Sequence, residues 1–159
     1  MRVTFRKLIE DRVSTWDAVR GRRTLVPGTT MALGRGGLPH DLIQMVVEAS
    51  VGIDRGFWGS VAAGATFKST GRKRTRPGRA VIVANRQVIA ETEGVVAEHL
   101  FRWEHGIPTP ASAHFEEMSR CWGSLGDGGR LTVEWPTLRV LEVDGGRTGW
   151  FPDGGQRDG

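Results

Sequence analysis

Residues 39–52 read PHDLIQMVVEASVG, and the period of this stretch decides the fold. Pro39 stands at a first helical turn, where a missing N–H costs nothing. Leu42, Met45, Val46 and Ala49 recur at helical spacing, and Gly52 is a natural C-terminal stop. Ile43, Val47 and Val51 widen the apolar face, which predicts a central helix.

On its N-terminal side the period falls to two. Residues Val3 to Ile9 alternate, with Val3, Phe5 and Lys7 on one side and Thr4, Arg6 and Leu8 on the other. Val13–Arg20 and Arg22–Val26 read as two further strands around Gly21, and Pro27 closes this antiparallel meander. Residues 28–37 then form a loop holding Gly28, Gly34, Gly36 and Gly37.

On the C-terminal side a short helix is predicted from about Asp54 to Ala65, with Asp54 as its cap and Phe57, Val61 and Ala65 as its stripe. Lys68–Arg79 reads as a basic loop. Ala80–Ala84 is an apolar run, either a strand or a helix start. A long helix covers about Asn85–His105, with Val88, Thr92, Val95, Val96, His99 and Trp103 on one face. Thr109 and Pro110 open a fourth helix, whose stripe is Ala111, Phe115, Met118, Trp122 and Leu125. Leu131, Val133 and Trp135 alternate as a strand, and Leu138–Val143 is another. This order predicts an α+β fold in which an antiparallel sheet of about five strands, the meander plus the C-terminal pair, packs against about four helices. Residues 1–143 are expected to form one domain and 144–159 a flexible glycine-rich tail, in which Trp150 and Phe151 dock on the parent domain or on a partner.

The chain has 159 residues, 22 basic and 18 acidic, for a net charge of +4; 19 of the basic residues are Arg. The guanidinium fork suits phosphate and carboxylate, although a genome rich in G and C would give the same bias. The single cysteine, Cys121, excludes an internal disulfide and a multi-cysteine zinc site. No apolar run approaches the ~20 residues of a membrane span, so a soluble, cytoplasmic protein is expected. The Walker A, zincin and nucleophile-elbow patterns are all missing from the sequence, and no metal or cofactor is expected.

Two stretches carry most of the chemistry. Gly34-Arg35-Gly36-Gly37-Leu38-Pro39-His40 runs into the start of the central helix, where unsatisfied N–H groups and the positive helix end favour an anion. Arg35, Gly36, Gly37 and His40 are its anion-binding candidates, set against a plain flexible connector. Residues 68–79 hold six cations, Lys68, Arg72, Lys73, Arg74, Arg76 and Arg79, and no acid. Such a run binds phosphates by releasing counterions, with no interleaved aromatic to stack on bases; the plainer reading is a solvated loop.

Acid–base candidates are His40, Glu48 and His99. His40, Gln44 and Glu48 follow one another at i, i+4 and i+8, a spacing that fits a solvated stripe on an apolar helix. His99 lies within an apolar stripe, where a core imidazole bound to a backbone carbonyl is the expected state. His114 and Cys121 are two turns apart, too far to act as a pair.

The leading expectation is a non-catalytic binding protein for an anionic partner, most simply nucleic acid, through residues 68–79. The alternative is a small enzyme or ligand-binding protein with an anion pocket at Gly34–His40, using His40 and Arg35.

Overall fold

The computed structural model describes residues 1–8, 13–21, 24–28, 31–32, 37–67 and 75–146. The fold is α+β, an antiparallel sheet with helices over its inner face. The strands are β1 (Arg2–Leu8), β2 (Val13–Arg20), β3 (Thr24–Pro27), β4 (Met31–Ala32), β5 (Arg130–Glu134) and β6 (Val140–Asp144). Their order is β3-β2-β1-β5-β6, with the two-residue β4 pairing with β2 inside what had read as loop. β1 is central, so the chain's first strand joins the meander to the C-terminal pair. Phe5 lies between Trp16 on β2 and Leu131 on β5, and all three are buried. The period of two in β1 is therefore the inner–outer alternation of the pleat.

Lys7 shares that inner face. Its ammonium donates to the carbonyls of Trp122 and Leu125 at 2.9 and 3.2 Å and lies 5.6 Å from the Trp122 ring centre. A cation is favoured where a helix ends in unsatisfied carbonyls, and here it ties the sheet to the end of α4 (Ser112–Gly123). Burial holds the Lys7 pKa below its usual value.

Helix α1 (His40–Ser50) is the centre of the molecule: every residue from Asp41 to Glu48 is buried. Its apolar side meets the sheet and α4 in one cluster that includes Leu42, Met45, Val46, Phe115 and Met118. The polar stripe expected to face water does not. Gln44 is 3% exposed and Glu48 0%, because α2 (Phe57–Ala62) and α3 (Arg76–Glu104) pack over that side. An aromatic group fills the space between β2 and α2: Trp16 lies 4.7 Å from Trp58, and Trp58 stands edge-on to Phe5 at 5.8 Å.

α3 decides between two alternatives and corrects one expectation. It runs 29 residues without interruption, so Ala80–Ala84 is helix, and the last residues of the basic stretch, Arg76–Arg79, are its first turn. Its buried residues are Gly78, Asn85, Thr92 and Val96, with spacings of seven, seven and four, and the half-buried Val95, Leu100 and Trp103 pack against the core beside them.

Candidate functional site

Asp41, Gln44 and Glu48 form a row of buried polar groups on α1, each with a structural partner. The Asp41 carboxylate accepts from the Trp16 indole N–H at 2.6 Å, and its backbone carbonyl accepts from the Trp58 indole at 2.8 Å. The Glu48 carboxylate accepts from the backbone N–H groups of Phe57 and Trp58 at 2.8 and 2.9 Å, and from the Gln44 amide at 3.0 Å. Glu48 thus caps α2 from another helix. The N-cap residue itself is Gly56, not Asp54, and makes no side-chain cap bond. A Cβ on Gly56 would stand 2.5–2.8 Å from the Glu48 carboxyl atoms, so the carboxylate occupies the space a side chain would need. Burial pushes the Glu48 pKa up to about 7, against the opposing pull of those N–H donors. The same residue borders a cavity of about 380 Å³ between the end of α1 and the β5–β6 turn, walled by Ile53, Trp135 and Pro136.

His40 lies at the opposite end of α1, half-exposed. Its Nδ1 is 3.7 Å from Asp41 Oδ1, and its Nε2 is 3.9 Å from Glu93 Oε2 on α3. The neighbouring Asp41 carboxylate, reinforced by the charge of Glu93, raises its pKa above the usual value for histidine. Gly37 adopts φ +80°; Gly34, Arg35 and Gly36 lie outside the described residues. His99 is partly buried on α3, and its Nδ1 has no hydrogen-bond partner among the described residues, so the expected carbonyl bond is not made by that atom. His40, Glu48 and His99 therefore have different neighbours. Among the described residues no three His, Cys, Asp or Glu side chains gather closely enough to hold a metal ion. Cys121 is buried, at 8% exposure.

Of the six cations singled out in the basic stretch, Arg76 and Arg79 are described; Lys68, Arg72, Lys73 and Arg74 are not, nor are Trp150 and Phe151. The start of α3 is firmly mounted. Thr75 caps it, accepting from Gly78 N–H at 3.1 Å, with Pro77 in the first turn. The Thr75 N–H donates to Thr66 Oγ1 at 3.1 Å. Gly78 lies so close to Thr66 that a Cβ there would collide with it. Two turns on, the Asn85 amide donates to Ser60 Oγ at 3.0 Å and accepts from Arg55 Nε at 3.0 Å.

From this mount Arg76 and Arg79 project into solvent. Neither guanidinium has an ion-pair or hydrogen-bond partner among the described residues. With Ala80, Val83 and Ala84 they line an open groove of about 630 Å³, and Val83 is 75% exposed. The first turn contains no acid. The positive end of the helix dipole and two fixed cations thus add at one place.

Sequence reading missed this helix start because Pro77-Gly78 looks like a breaker. Thr followed within two residues by Pro is also an N-terminal signature, and that was the available signal. No described helix is long and apolar enough to cross a membrane. No protein-family model matches the chain, and no curated protein or solved structure matches it.

Proposed function

We propose that this is a non-catalytic binding protein that takes an anionic partner, nucleic acid in the simplest case, at the basic start of α3. The observation that carries the reading is the pair Arg76 and Arg79, exposed and without a partner among the described residues, on a first turn without an acid. Ordinary surface arginines are often paired within the fold, as Arg130 is with Asp144 at 2.8 Å. Here the cations are left for a partner, and the helix beneath them is held in place by Thr66, Ser60 and Arg55. Lys68, Arg72, Lys73 and Arg74 precede them directly in the chain, so phosphate contacts would extend from the helix into that stretch. Binding of this kind positions a backbone and reads little sequence.

The environment of His40 weighs against an anion pocket at the start of α1. Two carboxylates, Asp41 and Glu93, flank the imidazole and would repel a second anion.

Titration of a fluorescent oligonucleotide at several salt concentrations tests the proposal. Affinity should fall steeply with salt and vary little with sequence. Replacing Arg76 and Arg79 by Ser should weaken binding across all sequences and lower the log–log salt slope by about 1 per lost phosphate contact. An unchanged slope would remove α3 from the interface.

A further inference from the structure

The cavity of about 380 Å³ at the end of α1 shares no residue with the basic start of α3. Its size is at the lower end of the ~300–1,000 Å³ of small-molecule sites, which are apolar with a few placed polar groups. Ile53, Trp135 and Pro136 supply the apolar wall. The charged residues on its border are Glu48 and Asp54, and no Lys, Arg or His among the described residues lines it.

The two acids stand in different states. Both Glu48 oxygens already accept hydrogen bonds, from the N–H groups of Phe57 and Trp58 and the Gln44 amide, so Glu48 is committed to the fold. Asp54 is exposed, and its carboxylate has no hydrogen-bond or ion-pair partner among the described residues. α1 ends beside it with no basic residue in its last turn, so no side chain offsets the negative end of that helix dipole. The cations nearby in the chain are engaged elsewhere. Arg139 lies 3.2 Å from Glu134, and the Met1 ammonium donates to the Trp135 carbonyl at 2.8 Å. The border of the cavity thus offers an unanswered negative charge, and an indole in the wall is a favourable neighbour for a cation.

We infer that this cavity binds a small organic amine, its aromatic or branched body against Ile53, Trp135 and Pro136 and its ammonium at Asp54 and the end of α1. Each part of such a ligand meets its complement. A carboxylate of the same shape would face Asp54 and the negative end of the helix. A neutral alcohol would fill the apolar wall and leave Asp54 unanswered. The body therefore supplies most of the affinity and the ammonium the selectivity, since a charge pair at an exposed rim contributes little. This inference does not depend on the nucleic-acid reading, whose cations attract the opposite charge on another helix.

Phenethylamine, phenethyl alcohol and 3-phenylpropionate carry an ammonium, a hydroxyl and a carboxylate on the same ring. Each is titrated into the full chain and followed by amide-resolved NMR. Phenethylamine should give saturable shifts at Ala49–Asp54, Trp135 and Thr137, with Thr75–Ala84 unmoved. The alcohol should bind more weakly and the carboxylate most weakly. Asp54→Asn, a change at an exposed side chain, should weaken the amine about fivefold and leave the alcohol as it was. Ala49→Leu, which places a larger side chain at the border of the cavity, should remove binding of both. The absence of a saturable shift at these residues, a carboxylate bound as tightly as the amine, or an Asp54→Asn chain that binds the amine like the parent would overturn the inference.

Discussion

Helices α1 and α3 pack against each other and treat their polar residues in opposite ways. α1 is buried from Asp41 to Glu48, and the three polar side chains in that span are spent on the fold: Asp41 on an indole, Gln44 on Glu48, Glu48 on the start of α2. α3 gives the core one side and leaves Arg76 and Arg79 without a partner among the described residues. Burial made α1 the tempting place for chemistry, since a carboxyl held near 7 beside a cavity resembles a tuned acid. The hydrogen bonds show why that resemblance misleads. A buried carboxylate already filled by N–H donors is a structural cap, and groups left unfilled at the surface are the better mark of a partner.

The largest effect expected from this contrast is on stability. Glu48→Ala leaves the N–H groups of Phe57 and Trp58 buried without acceptors and should cost about 2–4 kcal/mol in chemical denaturation. Arg76→Ser and Arg79→Ser, by contrast, should leave the denaturation midpoint within experimental scatter while weakening ligand binding. Were Glu48→Ala as stable as the parent, the carboxylate would be free for some other task and the contrast between the helices would collapse.

A smaller effect concerns pH. Glu48 holds its proton more tightly in the folded chain, about 7, than the usual 4.5. Its contribution to stability is therefore complete below about 4.5, is lost progressively as pH rises toward 7, and is level above that. The raised pKa of His40 adds a decline of the same sign as pH rises past 6.5. Comparing the parent with Glu48→Gln isolates the carboxyl: the difference between the two proteins should change between pH 4.5 and 7 and stay constant beyond. A difference that is flat throughout would mean that the folded pKa is unshifted.

Much of the architecture was legible in the chain because it rests on local periodicity. The alternation in Val3–Leu8 and Val13–Arg20 gave β1 and β2, and the wide apolar face of residues 42–51 gave a central α1. Two features were not legible, for different reasons. The stripe His40, Gln44, Glu48 has the spacing of a solvated face, and only the packing of α2 and α3 over it turns Gln44 and Glu48 into buried partners. The start of α3 was hidden by local chemistry: Pro77 and Gly78 each read as loop residues, yet Pro fits a first turn and Gly78 is required by its contact with Thr66. As a result a basic stretch taken for loop is in part a fixed helical surface. The site candidates fared unevenly for the same cause. Charge runs are visible in sequence, whereas the lack of a partner for Arg76 and Arg79 among the described residues is visible only in the fold.

The most direct test of the central claim is an amide-resolved NMR titration of the full chain with a short oligonucleotide at low salt. Shifts concentrated at Thr75–Ala84 and in the preceding basic stretch, with Gly37–Asp41 and the Glu48–Trp58 contact unmoved, are the predicted result. Shifts centred on Gly37–Asp41 with Thr75–Ala84 silent would contradict the account and move the anion site to the start of α1.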